Sequence, residues 1–393
     1  MIDAIIANND EFTRWRQDIH RHPELGFEEQ RTAQLVVDKL TAWGFDEVHT
    51  GIGGTGVVGV LRGSKPGTRT IGLRADMDAL AMTEQNTFDY ASQTEGRMHG
   101  CGHDGHTTML LAAAWYLAEH RDFAGTVHFI FQPAEEGLAG AQVMIDAGLF
   151  ERFPCDRVYG LHNMPGIPAG ELWVRNGALL AGSDRFVIDI QAKGGHAAMP
   201  QHTVDPMPVV ASIISSAQTV VSRNTSPLDS AVLSFTDLHA GSGTFNVIPN
   251  DARMMGCVRT FDEGVREHAL ARFRTLVESS AEAYGARATL TIRPGSYPAT
   301  VNDSDAFELA CDVAKGLVGE EKVNTDCQPL SGSEDFSFML RAVPGCYLFL
   351  GNGLEGEKGG VSVHNPQYDF NDAIIPTGAS FFVAMVQREL APR

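Results

Sequence analysis

Six consecutive residues concentrate the side chains of this chain that are best suited to chemistry. The segment Cys101-Gly102-His103-Asp104-Gly105-His106 holds one thiol, two imidazoles and one carboxylate, separated by two glycines. Thiolate, imidazole and carboxylate are the usual ligands of zinc, and imidazole and carboxylate also suit manganese. The apolar segment 107–117 follows at once, which predicts that the cluster lies where a loop enters a helix. Cys101 alone would more often be a small buried residue, but together with His103 it indicates a metal site.

Other acidic and imidazole side chains follow predicted strands. Asp76 and Asp78 come after a strand at 70–74, the pair Glu135-Glu136 after a strand at 126–131, and His162 after a strand at 157–161. Ligands of open α/β sheets bind outside the carboxyl ends of the strands. If these strands are parallel neighbours, the three groups meet at one edge of the sheet, where the 101–106 loop can join them.

The adjacent carboxylates Glu135 and Glu136 could have two different roles. One can bind a metal ion while the other takes a proton from a water molecule that the ion activates. An isolated Glu-Glu pair is usually a solvated turn. Here Pro133 and Gly137 frame the pair directly after a strand of buried type, which favours a functional role.

Several further residues carry little weight by themselves. His162 and His364 are single imidazoles among 14 histidines. His196 lies in the glycine-rich segment 194–200, Asn246 lies in the glycine-rich loop 241–249, and Arg259 ends a predicted strand. Each of these is also compatible with an ordinary exposed or structural residue.

The order of predicted elements defines the fold class. A helix at 28–43, strands at 56–61, 70–74, 126–131 and 157–161, and a helix at 105–120 predict an α/β layer with a mixed, largely parallel sheet flanked by helices. Between 184 and 294 the order changes to strand 186–192, helix 204–221, strands 231–238 and 252–260, helix 262–284 and strand 288–293. This βαββαβ order is ferredoxin-like. A helix at 303–317, a strand at 346–350 and a helix at 377–390 then resume the α/β pattern. We therefore expect one catalytic domain built from 1–183 and 295–393, with an inserted ferredoxin-like domain at 184–294.

Composition narrows the class of protein and of partner. The 393 residues suffice for two domains. A formal net charge of -19 argues against nucleic acid and anionic membrane surfaces as partners. Six scattered cysteines without a CxxC pair favour a reduced, cytoplasmic setting. Residues 1–16 do not read as a signal peptide, and no run of 18 apolar residues predicts a membrane span.

The motifs, taken together, resemble those of the dinuclear metallo-aminoacylase and carboxypeptidase family. Within that family the chain is similar to the branch of hippurate hydrolases, N-acyl-amino-acid amidohydrolases and auxin-conjugate hydrolases. The resemblance runs nearly end to end and is specific because the matching segments occur in order. These segments are 18–25 (DIHRHPEL), 74–80 (RADMDAL), 101–106, 135–136, 194–200 (GGHAAMP), 333–336 (SEDF) and 364–366 (HNP).

The resemblance implies a role for each matching residue. It implies a zinc-peptidase-like catalytic domain that binds two divalent metal ions per subunit, manganese or zinc foremost and cobalt or nickel as further options. Cys101 would stand between the two ions, and Glu135 would be the general base. His196 would polarise the scissile carbonyl, often from the partner subunit of a dimer. The implied metal ligands are Cys101, His103, Glu136, His162 and His364.

Further implied roles concern positioning. Asn246 and Arg259 would hold the substrate, with the arginine meeting its carboxylate, from an inserted domain that serves as lid and dimerisation domain. Asp78 would orient a ligand from behind. Asp104 and His106 are expected to brace the loop and not to bind metal.

We therefore expect metal-dependent hydrolysis of the amide bond of N-acyl amino acids, such as hippurate-like or N-acetyl compounds, by a homodimer or a dimer-based assembly. The products would be a carboxylic acid and a free amino acid. A dipeptidase or carboxypeptidase on the same metal centre is the alternative enzyme. A non-catalytic metal-binding or ligand-binding protein is a third reading, against which Glu135 argues because metal binding alone does not need it.

Overall fold

A computed structural model describes residues 1–392 of the chain. Short 3-10 turns lie at Pro200–His202, Glu320–Lys322 and Asp372–Ile374, and a π-helical turn lies at Val220–Asn224. The helices are α1 (Asp3–Ala7), α2 (Asn9–Arg21), α3 (Gln30–Ala42), α4 (His103–Glu119), α5 (Glu135–Leu138), α6 (Gly140–Asp146), α7 (Leu149–Arg152), α8 (Pro206–Thr219), α9 (Glu263–Ala283), α10 (Ser304–Val318), α11 (Phe336–Ala342) and α12 (Ile375–Glu389). The strands are β1 (Glu47–Ile52), β2 (Gly56–Arg62), β3 (Lys65–Asp76), β4 (Ala124–Gln132), β5 (Arg157–Pro165), β6 (Leu172–Trp173), β7 (Gly177–Leu180), β8 (Gly182–Gln191), β9 (Gly195–His196), β10 (Ala231–Ala240), β11 (Val247–Ile248), β12 (Asp251–Thr260), β13 (Arg287–Ile292), β14 (Thr300–Asn302), β15 (Val323–Asn324) and β16 (Gly345–Gly353).

The chain divides into two compact units. The first comprises Met1–Leu179, Val301–Gln328 and the segment from Asp335 onward, and the second comprises Leu180–Thr300 and Pro329–Glu334. The sequence pattern predicts that 329–334 belongs to the resumed α/β part. In the structure this short segment packs with the second unit, because the Ala181 N–H donates to the carbonyl oxygen of Leu330 (3.0 Å).

The first unit is built on an eight-stranded mixed sheet in the order β1-β2-β4-β3-β5-β16-β6-β15. The pairs β4–β3, β3–β5 and β5–β16 are parallel, whereas β1–β2 and β2–β4 are antiparallel. Helix α4 is buried almost throughout its first three turns and belongs to the same apolar core as α12 and α10. The α/β class with a mixed, largely parallel sheet is therefore confirmed.

Two boundaries near the chemically interesting residues differ from the sequence prediction. Helix α4 begins at His103 and not at Gly105, because Gly102 at its N-cap takes the left-handed conformation (φ 93°) and starts the helix two residues earlier. His162 lies within β5 and not after it, because parallel pairing with β16 extends the strand to Pro165.

The second unit has the predicted βαββαβ order. Its sheet runs β10-β12-β8-β13 with all neighbours antiparallel, which is the strand order of a ferredoxin-like fold. Helices α8 and α9 share one apolar core with this sheet, centred on Phe186, Phe273 and Ile213. A two-stranded ribbon, β9 with β11, lies beside it. Among the described residues, no helix of either unit is long and apolar enough to cross a membrane.

Candidate metal centre

The three groups of polar residues that follow the strands meet at one edge of the central sheet. Strands β4, β3 and β5 are parallel neighbours in the sheet, so that their carboxyl ends point the same way. Asp76 ends β3, Glu135 follows β4, and His162 lies near the end of β5. The N-terminus of α4 brings Cys101 and His103 to the same edge.

Both glycines of the 101–106 motif allow close approach. A Cβ atom on Gly102 would lie 2.2 Å from Nδ2 of Asn163, and one on Gly105 would lie 2.2 Å from the ring of Phe370. Gly102 also has a positive φ that other residues rarely adopt. The loop can therefore pack against Asn163, which donates from Nδ2 to the carbonyl oxygen of Cys101 (2.7 Å).

The five ligands implied by the resemblance fall into two donor groups that share one thiol. Cys101, His103 and His162 form the first group, and Cys101, Glu136 and His364 form the second, with the donor atoms of each group within 4.8 Å of one another. Sγ of Cys101 lies 3.3 Å from Nε2 of His162. Nε2 of His364 lies 3.2 Å from Oε1 of Glu136. This arrangement suits two cations bridged by the thiolate.

Asp78 lies directly behind both groups. Its Oδ1 is 3.1 Å from Nδ1 of His103, and its Oδ2 accepts a hydrogen bond from the backbone N–H of Glu136 (2.9 Å). The contact with Nδ1 leaves Nε2 of His103 available to the donor group. This atom is buried, has no hydrogen-bond partner among the described residues, and lies 3.7 Å from Oδ2 of Asp76. A buried imidazole nitrogen without a partner is costly unless something binds it. The donor set therefore fits a metal ion.

Asp104 and His106 each lie within hydrogen-bond distance of other residues, which suits residues that brace the loop. Nδ1 of His106 lies 2.6 Å from Oδ1 of Asp76, and its Nε2 accepts from the backbone N–H of Asn163 (2.9 Å). Oδ2 of Asp104 lies 2.8 Å from Nδ1 of His20 on α2. Asp104 belongs to none of the donor groups, and His106 shares one with Asp76 and His103 but none with Cys101.

The donor cluster carries an excess of negative charge. Burial acts to lower the pKa of His103, but the Asp76 carboxylate and the hydrogen bond with Asp78 raise it well above its usual value. Hydrogen bonds with Cys101 and Glu136 raise the pKa of His364 to about 10. Surplus negative charge thus draws protons onto two imidazoles. Bound divalent cations would supply positive charge in place of these protons, and their binding would release the protons.

The backbone is held in unfavourable conformations at two points of the site. His364 has φ 62° and Ala134, which precedes Glu135, has φ 55°. Such left-handed conformations cost roughly 1–3 kcal/mol for residues other than glycine, and they cluster at functional sites. The N–H of His364 donates to the carbonyl oxygen of Gly100 (2.7 Å), which ties it to the 101–106 loop.

Glu29 is a site residue that the sequence analysis missed. It is fully buried, accepts a hydrogen bond from the backbone N–H of Ala134 (2.8 Å), and accepts another from the hydroxyl of Thr55 (2.5 Å). It thus fixes the turn that presents Glu135. Burial raises the pKa of Glu29 to about 7. Nothing in the local sequence Glu28-Glu29-Gln30 distinguishes this carboxylate from its exposed neighbour.

The raised pKa of Glu29 predicts a pH dependence of stability. The folded state keeps a proton that the unfolded state loses above its ordinary pKa of 4.5, so that this contribution to stability falls as the pH rises from about 4.5 through 7. Glu29→Gln stays neutral, and the free energy of unfolding of the wild type should fall relative to this variant by about 3 kcal/mol across that range. Urea unfolding of metal-free protein between pH 5 and 8 measures the difference. Glu28→Gln at the exposed neighbour is the control, and parallel curves for wild type and Glu29→Gln would contradict the assignment.

A buried polar network joins the carboxyl ends of β3 and β4. Arg74 is buried and bonds to Asp76 (2.8 Å), to Asp335 (3.1 Å) and to Oε1 of Gln132 (2.8 Å). Asp335 also accepts from the backbone N–H of Ala141 (2.9 Å). A buried guanidinium needs buried partners. The identity of those partners was not in the sequence.

The remaining predicted residues lie in the second unit. His196 and Asn246 are neighbours on the β9–β11 ribbon, where the N–H of Ala197 donates to the carbonyl oxygen of Asn246 (3.0 Å) and both side chains are exposed. Arg259 lies near the end of β12, paired with Ser183, and donates to the hydroxyl of Ser333 (3.1 Å). The structure therefore brings His196 together with Asn246 but separates both from Arg259.

Comparison with known proteins gives the family of metal-dependent hydrolases that the motifs and the donor groups indicate. A sequence profile of peptidase family M20/M25/M40 matches residues 72–388. The chain is 40% identical over 390 residues to a hippurate hydrolase of Campylobacter jejuni, with 99% of both chains covered. It is 38% identical to thermostable carboxypeptidase 1 of Saccharolobus solfataricus (93% of this chain, 91% of the relative) and 37% identical to an N-acetylcysteine deacetylase of Bacillus subtilis (94% of each).

The solved structures agree with the sequence comparison. A dinuclear metal-binding peptidase of the M20 family from Bacillus subtilis superposes with a TM-score of 0.84 at 32% identity, covering 98% of this chain and 99% of the other. Fold and donor groups are those of a metal-dependent hydrolase of amide bonds. The chain belongs to peptidase family M20/M25/M40, which confirms the resemblance inferred from the motifs.

Proposed function

We propose that this protein hydrolyses the amide bond of N-acyl amino acids and releases a carboxylic acid and a free amino acid. The observation that carries the proposal is the position of Glu135, a buried carboxylate with one oxygen within 4.8 Å of donor atoms of His103 and Glu136. The two donor groups around Cys101 do not need this residue as a ligand. The names of relatives that act on hippurate and N-acetylcysteine support the substrate class.

Each residue at the centre then has a task. When bound, two divalent cations would polarise the acyl carbonyl and lower the pKa of a water molecule. Glu135 takes the proton of that water and returns it to the leaving amine. Asp78 holds the imidazole of His103 and the backbone of Glu136 in place.

We assign to His196 the stabilisation of the developing oxyanion. Nδ1 of His196 accepts a hydrogen bond from the backbone N–H of Ala198 (3.1 Å). In the neutral ring the proton is then on Nε2, so that the exposed nitrogen is a donor. A donor aimed at a carbonyl oxygen that gains negative charge is worth about 10²–10³ in turnover.

Geometry within the second unit supports a site completed by a second copy of the chain. Arg259 pairs with Ser183 and Asp251 pairs with Gln191, so that eight residue steps of an antiparallel strand, about 27 Å, separate Arg259 from the end of β12 beside the ribbon. An extended N-acyl amino acid spans roughly two residues, or about 7 Å. One substrate cannot contact Arg259 and His196 of the same rigid unit. We infer that Arg259 holds the substrate carboxylate while His196 and Asn246 come from a second copy.

The proposed homodimer would form through the second unit, acting as lid and dimerisation domain. Strand β10 is an edge strand of ten residues, and its side chains Val232 and Leu238 are exposed. An unpaired edge of this length is a template for pairing with another chain.

A complementation experiment tests the shared site. Glu135→Gln and His196→Ala should each be inactive alone. Mixing the two variants under conditions that exchange subunits should restore about a quarter of wild-type activity, because half of the two-fold dimers are mixed and each has one intact site. If both residues act within one chain, mixing restores nothing. Native mass spectrometry of the mixture, with one variant carrying a mass tag, measures the extent of exchange directly.

The donor set suggests which ion is resident. We propose zinc or manganese, because a thiolate and three imidazoles suit zinc, while imidazole and carboxylate suit manganese; cobalt and nickel also fit. We further propose a cytoplasmic location. All six cysteines are free, which a reducing compartment maintains.

A substrate panel tests the proposed function. Protein loaded separately with each metal is assayed on N-benzoylglycine, N-acetylglycine, N-acetylphenylalanine, glycylglycine and a benzyloxycarbonyl dipeptide. We expect the N-acyl amino acids to be cleaved with the higher kcat/KM. The relative named carboxypeptidase makes peptide cleavage the second candidate, and faster release from the dipeptide substrates would favour it. Metal binding without hydrolysis of any substrate would indicate a binding protein.

A further inference from the structure

One apolar side chain beside the proposed catalytic histidine is fully exposed. Phe245 has a relative exposure of 105%, and among the other large apolar side chains described, all except Leu228 (95%) are exposed by about half or less. Single exposed apolar residues normally need no explanation. The position of Phe245 does, since it directly precedes Asn246 on the ribbon that carries His196.

Phe245 lies in the turn that leads into a hydrogen-bonded ribbon. The ribbon register pairs Val247 with His196. The N–H of Gly194 donates to Oδ1 of Asn250 (2.9 Å), and the N–H of Met199 donates to the carbonyl oxygen of His196 (2.8 Å). A Cβ atom on Gly194 would lie 2.4 Å from the carbonyl oxygen of Ile248, so that the chains approach closely there. The ribbon next to Phe245 is therefore an ordered element, and Phe245 lies two residues from its first paired residue, Val247.

The assignment of His196 favours the acyl group of a substrate as the occupant. His196 is assigned to the scissile carbonyl, which belongs to the acyl group, and Phe245 lies two residues before Val247, the residue paired with His196 in the ribbon. The substrate carboxylate lies on the amino-acid side of the scissile bond and is assigned to Arg259 of the other copy.

We propose that Phe245 is a specificity-determining residue that packs against an apolar acyl group of a substrate held in the site of a second copy. The ring would favour aromatic acyl groups, such as benzoyl, over acetyl by removing apolar and aromatic surface from water. This inference rests on the proposed function and names its preferred acyl class.

The test compares selectivity, since Phe245 is exposed and its replacement leaves the packed core intact. The variants are Phe245→Ala, Phe245→Trp and, as the matched control, Leu228→Ala at the other fully exposed apolar position of the same unit. The selectivity is kcat/KM for N-benzoylglycine divided by that for N-acetylglycine, two substrates that differ only in the acyl group. Phe245→Ala should lower this ratio about tenfold or more. Phe245→Trp should preserve it, and Leu228→Ala should not change it.

Other outcomes overturn the inference in distinguishable ways. An unchanged ratio in Phe245→Ala would remove Phe245 from the acyl contact. A change in the ratio of N-acetylphenylalanine to N-acetylglycine instead would place it on the amino-acid side. Loss of assembly in sedimentation velocity, with equal losses for all substrates, would assign it to the contact between copies. Wild-type protein that cleaves none of the substrates would overturn the proposed function itself, before any variant is compared.

Discussion

Glu135→Gln is expected to lower kcat by about 10²–10⁴-fold on any substrate that the wild type cleaves, while the bound metal stays unchanged. Glutamine has the size of glutamate but cannot accept the proton. Glu135 is buried, and the backbone N–H of Asp335 lies 3.4 Å from its Oε1, so that the amide oxygen can keep this contact. Metal content by mass spectrometry and single-turnover rates measure the two effects separately.

The neighbouring carboxylate supplies the matched control. Glu136→Gln differs by one position and the same chemical change, yet Glu136 belongs to the donor group with Cys101 and His364. We expect this variant to lose metal affinity first, with activity partly restored at high metal concentration. Turnover of Glu135→Gln within tenfold of wild type would remove it from the proposed role as general base. Equal metal loss in both variants would make Glu135 a ligand.

Cys101→Ala should have the largest effect on metal binding, because its thiol belongs to both donor groups. Replacing a residue that only orients a ligand costs about 10–100-fold in metal affinity, so removal of a shared ligand should exceed about 100-fold. Both ions should be affected together. Isothermal titration after chelation gives the two affinities, and cobalt-loaded protein should lose its thiolate charge-transfer absorption.

Two further variants give this experiment its contrast. Cys311→Ala replaces another buried cysteine, on α10, and should leave both affinities unchanged. Cys101→Asp supplies a carboxylate at the shared position and should recover part of the binding. A Cys101→Ala protein that still binds two ions with wild-type affinity is incompatible with a bridging thiolate.

The sequence was most informative where the residues that act together lie close in the chain. The spacing of Cys101 and His103 around a glycine and the Glu135-Glu136 pair both indicated metal chemistry before any fold was known. The alternation of strands and helices predicted that β3, β4 and β5 present their ends together, and the sheet order confirms it. Periodicity and turn residues are local properties, which is why they can be read from one sequence.

Other features depend on contacts between distant segments. Glu29 and Glu28 look alike in sequence, but only Glu29 is buried against Ala134, 105 residues later. Neither the burial of Arg74 nor its pairing with Asp335 was predicted from the sequence. Burial and pairing are decided when segments pack, and no local pattern encodes which of two adjacent carboxylates turns inward.

By itself, the sequence determined the α/β class, the ferredoxin-like insertion, the family and the chemical type of the site, since each follows from residue types, their spacing and periodicity. Only the tertiary structure decided which atoms are free to bind. It placed one thiol in two donor groups, left Nε2 of His103 without a hydrogen bond among the described residues, and engaged His106 on both nitrogens. It also put Arg259 near one end of β12 and the ribbon that carries His196 beside the other end. Distances in space follow from strand pairing and packing, and these join residues whose separation along the chain says nothing about their separation in the folded protein.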